Sequence, residues 1–380
     1  MRFSTQTSAA ALAGAMLVSA ATTAVGPTLL RPFTFTSAHM GTEFRITLYA
    51  DNEARASAAA GAAFERIAAL ETILSDYRDD SELMRLCRHA PGAPVRISDD
   101  LFRVLAHAQR IAHVSGGAFD PTVGPLTRLW RRARRINELP APEEIDSARH
   151  GVGYEKLTLD AVARTATLQR SNMRLDLGGI GKGFAADEAV VVLQRHEIER
   201  ALIAAGGDIA TLGAPPDADV WTVTVEPLAA GGAKAVRVHL RDAAVSTSGD
   251  REQWLEPSGI RYSHIIDART GWPVVGRSSV TVVAGTATDS DALATAVAVL
   301  GPEDGMELVE SVQGAAAFVQ RARGERVETV ASRRWHARAP ISVSAPPQAT
   351  VSGRRVGTPL LSPPPAARSF QNRPSPRSPR

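Results

Sequence analysis

No stretch constrains this chain more than Leu175-Asp-Leu-Gly-Gly-Ile-Gly-Lys-Gly-Phe-Ala-Ala-Asp187, where a short apolar run ends on a carboxylate, passes four glycines around one lysine, and enters an amphipathic helix. Glycines remove the Cβ atoms that would keep an anion from backbone N–H groups. The helix start adds a partial positive charge and Lys182 a whole one. The segment reads as an anion site, reached from a strand over Arg174 to Leu177.

Its letters exclude two common phosphate loops. Asp176 stands where a P-loop needs its first glycine, and Gly183 follows Lys182 where Ser or Thr is required. Gly181-x-Gly183-x-x-Ala186 matches the dinucleotide fingerprint with alanine third, and Asp208 follows at a fair distance. The chain beyond Asp208 nevertheless runs into a Pro-Pro turn and antiparallel patterns rather than a βαβ unit. A Rossmann oxidoreductase is therefore a rival that NAD(P)H titration would test.

At 380 residues and 44% hydrophobic, the chain can bury one large core or two joined ones. Residues 333–380 hold nine Arg and no Asp or Glu, so the chain's +3 leaves about −6 on the rest. Aromatics are scarce at 5%, no basic stripe alternates with them, and nucleic-acid binding is set aside. Residues 1–26, with an Ala-rich apolar run from Ala9 to Val25, read as a secretory signal or an N-terminal arm. The single cysteine, Cys87, rules out an internal disulfide and sits at helical spacing as a small buried residue. From Ala337 onward, Pro, Ser and Arg content predicts a disordered tail over 337–380.

Periodicity predicts a strand pair between Phe33 and Tyr49 and helices over 53–75, 101–114, 126–136 and about 142–149. The arginines of 126–136 (Arg128, Arg131, Arg132, Arg134 and Arg135) are taken as a solvated face. Strands are expected near 157–159, 166–169, 174–177, 201–204, 221–225, 236–240, 244–246, 261–266 and 279–284. Helices over 289–300 and 303–312 and a final hairpin to about Val330 complete the core. Strands and helices do not alternate steadily, so the expected fold class is α+β, with antiparallel or mixed sheets flanked by helices.

Further segments carry chemistry. Asp291 and Thr295 lie one turn apart on one helix face, and a carboxylate with a hydroxyl suits Mg²⁺; Asp289 or Ser290 capping the helix, with Thr295 bonding to the preceding turn, is the ordinary alternative. His264 sits mid-strand in Tyr262-Ser-His-Ile-Ile-Asp267, able to take a proton near neutral pH or simply to bond a neighbouring strand. Asp267 and Arg269 can hold the turn that ends on Gly271. Gly116-Gly-Ala-Phe-Asp-Pro121 would let a flat ligand approach, with Phe119 stacking and Asp120 accepting from a ring N–H, or is a helix-ending turn with a core Phe; Tyr77 offers a second aromatic or is an ordinary surface-turn residue.

In this order the segments resemble the ApbE family of FAD:protein FMN transferases. The resemblance covers nearly all of Phe33 to Val330, within an expected transferase domain of 33–335. It is carried by Met40-Gly-Thr42, Tyr77-Arg-Asp-Asp-Ser-Glu-Leu83, Gly117-Ala-Phe-Asp-Pro121, Asp176-Leu-Gly-Gly-Ile-Gly-Lys-Gly183, Ala205-Gly-Gly-Asp208, Thr247-Ser-Gly249, Ser263-His-Ile-Ile-Asp267 with Thr270-Gly271, and Asp291-Ala-Leu-Ala-Thr295. The resemblance implies FAD contacts from Met40, Tyr77, Ala118, Phe119, Asp120, Asp176, Lys182 and Ile265. It also implies Mg²⁺ ligands from Gly179 (through its carbonyl), Asp291 and Thr295, and a general base in His264. The implied reaction moves FMN from FAD, the substrate, to a Thr or Ser hydroxyl of an acceptor flavoprotein in an electron-transfer system, with AMP leaving.

Two departures stand out. Many relatives carry a lipobox cysteine and this chain has none; with the N-terminal signal reading, the expected protein is exported to the periplasm or the outer face of the cytoplasmic membrane, soluble, held by an uncleaved segment or peripherally membrane-associated. Where relatives often show Trp-Gly-Phe-Gly, this chain has Trp130-Arg-Arg-Ala-Arg-Arg135. Water in place of the acceptor hydroxyl would make the same site an FAD pyrophosphatase, and a flavin-binding protein without turnover is the rival outside enzymology.

Overall fold

The computed structural model describes residues 29–228, 235–249, 254–324 and 326–338. All of them belong to one compact unit; the second, 343–380, lies outside the described residues, as does the expected signal over 1–26. The strands are β1 (Arg31–His39), β2 (Thr42–Ala50), β3 (Val95–Arg96), β4 (Leu157–Asp160), β5 (Thr165–Leu168), β6 (Ala201–Ala205), β7 (Asp208–Leu212), β8 (Trp221–Val225), β9 (Val236–Leu240), β10 (Ala244–Gly249), β11 (Trp254–Leu255), β12 (Tyr262–Ile266), β13 (Pro273–Val275), β14 (Ser278–Ala284), β15 (Ala316–Arg323) and β16 (Arg326–Ala331). The helices are α1 (Glu53–Leu74), α2 (Glu82–Cys87), α3 (Asp99–Val114), α4 (Gly124–Ile136), α5 (Pro142–Arg149), α6 (Gly181–Arg195), α7 (Ala287–Ser311) and α8 (Trp335–Arg338).

Eight strands form one sheet in the order β1-β2-β6-β7-β10-β14-β15-β16, every neighbour antiparallel. Period-two alternation assigns its faces. Phe44, Ile46 and Leu48 of β2 and Val280 and Val282 of β14 join the main core with α1, α6 and α7. Val245 and Val283 face the other way, under the β8–β9 hairpin and the buried Trp335 of α8. Each such fully buried aliphatic side chain contributes about 1.5–3 kcal/mol. The antiparallel α+β expectation holds. Among the described residues no helix is long and apolar enough to cross a membrane.

Local chemistry explains most element ends. The β1–β2 turn has two residues, Met40 and Gly41, with φ of 49° and 73°, and so needs a glycine at its second position. Asn52 caps α1 by accepting from the Arg55 N–H. The helices expected over 289–300 and 303–312 run as α7, broken at Gly301, whose φ of 80° lies outside helical space just before Pro302.

Several expectations are corrected. The stretch 174–177 is not a strand; the Val123–Arg174 bridge and the Asp176 N–H donated to the Pro121 carbonyl at 2.8 Å tie it to the segment that leads into α4 rather than to a sheet. Strand β7, from Asp208, is not among the expected strands, since its alternation is hidden by burial on both faces. Of the tail expected over 337–380, the described residues reach Arg338, where α8 ends, with Trp335 stacked on Phe318 at 5.3 Å; the rest lies outside the described residues.

Candidate functional site

Helices α6 and α7 cross where both are narrow. A Cβ on Gly183 would stand 2.2 Å from the Ala287 carbonyl oxygen and 3.0 Å from Asp291 Cβ, so glycine is the residue that permits this approach. Across the crossing, the Gly183 N–H donates to Asp291 Oδ2 at 3.2 Å. Ile180, the residue capping α6, has no side-chain acceptor of its own. The N-terminal turn of α6 therefore keeps its partial positive charge directed at the space that Asp291 borders.

Lys182 lies 3.1 Å from Asp208 Oδ2 and 3.7 Å from Asp291 Oδ2, and its ammonium also donates to the Gly178 carbonyl at 3.3 Å. Asp208 and Asp291 are both buried. Burial, then the Asp208 charge, push the Asp291 carboxyl up to about 7, against the opposing pull of Lys182. Burial works against the Lys182 charge, but the two carboxylates outweigh it and hold the ammonium above its ordinary value. With both carboxylates ionised, one cation between two buried anions leaves a net charge of −1. Lys182 thus brings less free positive charge to this space than its place in the sequence promises.

Hard oxygen donors complete the cluster. A Cβ on Gly179 would stand 2.8 Å from Thr295 Oγ1 and 3.3 Å from the Phe119 ring, so the glycine loop lies directly on the Asp291–Thr295 face of α7. The Ser248 and Thr295 hydroxyls approach to 3.5 Å. Among the described residues there is no cluster of three or more His, Cys, Asp or Glu side chains suited to a metal. The oxygens of Asp291, Thr295 and the Gly179 loop, with a charge deficit beside them, form instead the kind of set that a hard divalent cation completes with water and phosphate.

Glycine contacts link the neighbouring motifs. A Cβ on Gly206 would meet Thr42 Oγ1 at 3.1 Å, and one on Gly207 would meet the Thr247 carbonyl oxygen at 2.8 Å. The Met40 turn, the Gly206-Gly207-Asp208 bend and the start of Thr247-Ser-Gly249 therefore meet beside Lys182. On the other side, Gly117 lies against the Tyr154 ring and the Arg269 side chain. Asp120 was expected to accept from a ligand. In the fold both its oxygens already accept, Oδ1 from the Thr122 N–H and hydroxyl at 2.7 and 2.6 Å, and Oδ2 from the Tyr154 N–H at 2.9 Å. These bonds hold the loop that carries Ala118 and Phe119, both buried.

His264 lies half-buried on β12, in the irregular stretch of its pairing with β13. Ile265 beside it is buried in the main core. The strand is braced by Trp130, which stacks on Tyr262 at 5.9 Å and donates from Nε1 to the Gly271 carbonyl at 2.9 Å. Asp267 and Arg269 hold the adjoining turn, with Arg269 Nε and NH2 each 2.9 Å from Asp267. Asp176 accepts from the Gly178 N–H at 2.8 Å, at the mouth of the loop.

The solvated-face reading fails at Arg131, which pairs with Asp76 and lies 3.3 Å from Asp176. Burial within α4 escaped sequence reading because five arginines in ten residues mask which one points inward. The capping alternative for α7 is also corrected. Thr286 is the cap, and Asp187 of α6 accepts from the Ala287 and Thr288 N–H groups at 2.8 Å each.

A cavity of about 680 Å³ opens beyond the α6–α7 crossing, lined by residues such as Phe102, Arg103, His107, Arg110, Phe184 and Asp187. It contains none of the residues of the Lys182 cluster. Its basic groups are ion-paired, Arg103 with Glu188 and His107 and Arg110 with Asp289, so it offers an anion little. Burial alone would raise the Asp289 carboxyl, but His107 and Arg110 outweigh it and hold it down to about 2. A carboxyl depressed in the fold stabilises above its unfolded value near 4 and loses that contribution as pH falls toward 2. Asp289→Asn is therefore expected to lower stability by about 1–2 kcal/mol at pH 7. In urea unfolding, the difference from wild type should vanish between pH 4 and 2.

Fold and cluster together define an α+β protein whose glycine loop is set against two buried carboxylates and a hydroxyl of α7. The sequence profile of the ApbE family matches residues 40–319. A protein of Treponema pallidum named FAD:protein FMN transferase is 36% identical over 294 residues, covering 72% of this chain and 80% of its own. A protein of the same name from Salmonella typhimurium is 32% identical over 296 residues, covering 76% and 84%. The solved structure of flavin transferase ApbE from Vibrio cholerae superposes with a TM-score of 0.74 at 29% identity, over 81% of this chain and 99% of that one. The apo form of the Pseudomonas stutzeri flavinyl transferase ApbE superposes with a TM-score of 0.73 at 27% identity, over 81% and 97%. The chain belongs to the ApbE family.

Proposed function

We propose that the protein is a Mg²⁺-dependent FAD:protein FMN transferase, using Asp291, Thr295 and the Gly179 carbonyl as metal ligands and His264 as base. The observation that carries the site assignment is the placing of two buried carboxylates, Asp208 and Asp291, around the single ammonium of Lys182, net negative once both are ionised, beside an α6 N-terminus with no side-chain cap of its own. A diphosphate cannot settle there unaided. A divalent ion held by Asp291 and Thr295 would reverse the sign and neutralise charge on the phosphoryl oxygens.

The chain's own residues supply the rest. The α6 N–H groups and Lys182 orient the diphosphate, Phe119 and Tyr77 receive ring surfaces, and Met40, Asp176 and Ile265 border them. His264 takes the proton of the acceptor hydroxyl as its oxygen attacks the FMN phosphorus. That P–O bond forms, the bond to the AMP phosphate oxygen breaks, and AMP leaves with the electron pair. The acceptor is a flavoprotein, for which we propose an electron-transfer role. We further propose export to the periplasm or the outer face of the cytoplasmic membrane, supported by the Ala9–Val25 run.

Incubating the protein with FAD, Mg²⁺ and a co-expressed candidate acceptor should add one FMN to the acceptor by mass spectrometry and release AMP. Rapid FMN release without acceptor would replace this reading with a pyrophosphatase. His264→Ala is expected to slow transfer by about 10²–10⁴-fold while leaving FAD affinity within about threefold; equal transfer by the variant would remove His264 from the chemistry.

A further inference from the structure

Arg131 sets its guanidinium over the Tyr77 ring, 4.2 Å from the ring centroid. It pairs with Asp76 and reaches Asp176 at 3.3 Å. Arg174 fixes the same turn by donating to the Asp76 carbonyl at 2.8 Å. One planar cation thereby fastens three segments remote in sequence: the turn after α1, helix α4 and the residues that open the glycine loop. A guanidinium suits this because it stacks flat and binds carboxylates with its fork at once, which an ammonium cannot do.

Charge requires it too. Asp76 and Asp176 are buried, 9% and 8% exposed. Burial and the neighbouring Asp176 push the Asp76 carboxyl above its ordinary value, and Arg131 opposes the rise. Tyr77 is different, at 75% exposed. The arginine holds the ring on one side and most of the rest meets solvent.

We propose that Arg131 is a positioning residue for the ring end of FAD, holding Tyr77 as a fixed platform on which a ligand ring stacks. The ligand class rests on the flavin-transfer reading above; the platform rests on the contacts. An unrestrained exposed tyrosine samples several rotamers and must be ordered when a ring binds. Arg131 does that ordering in advance, so it governs affinity rather than the chemical step.

The test uses the full-length protein, with FAD affinity read from flavin fluorescence and kcat and KM read from transfer to an acceptor. Arg131→Met should weaken FAD binding about tenfold, with kcat within about twofold. Arg131→Lys should recover only part, because it keeps charge without the flat fork. Tyr77→Ala and the Arg131→Met/Tyr77→Ala double variant should bind equally weakly, since the arginine acts through the ring. Wild-type affinity in Arg131→Met, or losses that multiply in the double variant, would overturn the assignment. Should Arg131→Met fail to fold with two uncompensated carboxylates, Arg131→Met/Asp76→Asn against Asp76→Asn carries the same comparison. Wild-type protein that binds no FAD defeats the flavin reading itself, an outcome distinct from unaltered binding in the variants.

Discussion

Asp291→Asn is expected to lower FMN transfer about a thousandfold, the scale reached when a charge that stabilises a phosphoryl-transfer transition state is removed. The substitution keeps an oxygen for the Gly183 N–H and leaves Lys182 paired with Asp208 at 3.1 Å, so the fold has no reason to fail. Its effect on stability should run opposite to its effect on activity. Burial and Asp208 push the Asp291 carboxyl up to about 7, against about 4 in an unfolded chain. A carboxyl raised in the fold makes ionisation a burden there, so wild-type stability without divalent ions falls as pH rises from 4 through 7. The asparagine variant lacks that fall. Thermal melts in chelator at pH 8 should show it at least as stable as wild type, with the two curves converging near pH 4. A variant that melts well below wild type in chelator would show Asp291 to be a structural partner, and one with wild-type transfer would end the metal assignment.

The second large effect is Gly183→Ala. Its new Cβ would meet main-chain atoms of Ala287, at 2.2 Å from the oxygen and 2.6 Å from the carbon, and main chain cannot rotate away. Helices α6 and α7 must separate, at about 3 kcal/mol or more. Melting should fall by roughly 5–10 °C. Activity should fall further than stability, because the same displacement moves Lys182 away from Asp291. Gly181→Ala is the control: a Cβ there meets nothing within 4 Å, so melting should hold or rise slightly. Equal melting temperatures for the two variants would show that the crossing has slack that the contacts do not indicate.

Much of this was legible beforehand where chemistry is local. The i, i+4 pairing of Asp291 and Thr295 follows from helical periodicity, and the glycine spacing around Lys182 from what a close backbone approach needs. The helices over 53–74, 99–114 and 124–136 were visible for the same reason, since an apolar face repeats every three to four residues. Strand β7 and the irregular 174–177 stretch were misjudged because burial on both faces erases alternation and an apolar run need not join a sheet. Arg131 was misjudged because an inward-facing arginine differs from its outward neighbours only in what lies opposite it. Asp120 reads as a ligand contact, and the fold adds donors to it, Thr122 and Tyr154, of which one lies 34 residues away where no local pattern reveals it.

The amino-acid order alone determined the antiparallel α+β class, the family and the residues around the glycine loop, because each follows from periodicity, steric freedom or a motif within a few neighbours. Only the folded chain decided that Lys182 is shared between Asp208 and Asp291, that Gly183 lets two helices touch, and that Arg131 turns inward beneath Tyr77. Those are sums of charge and contact over residues up to a hundred or more positions apart. Electrostatic balance and excluded volume act through space, and their signs are set only once distant segments are brought together.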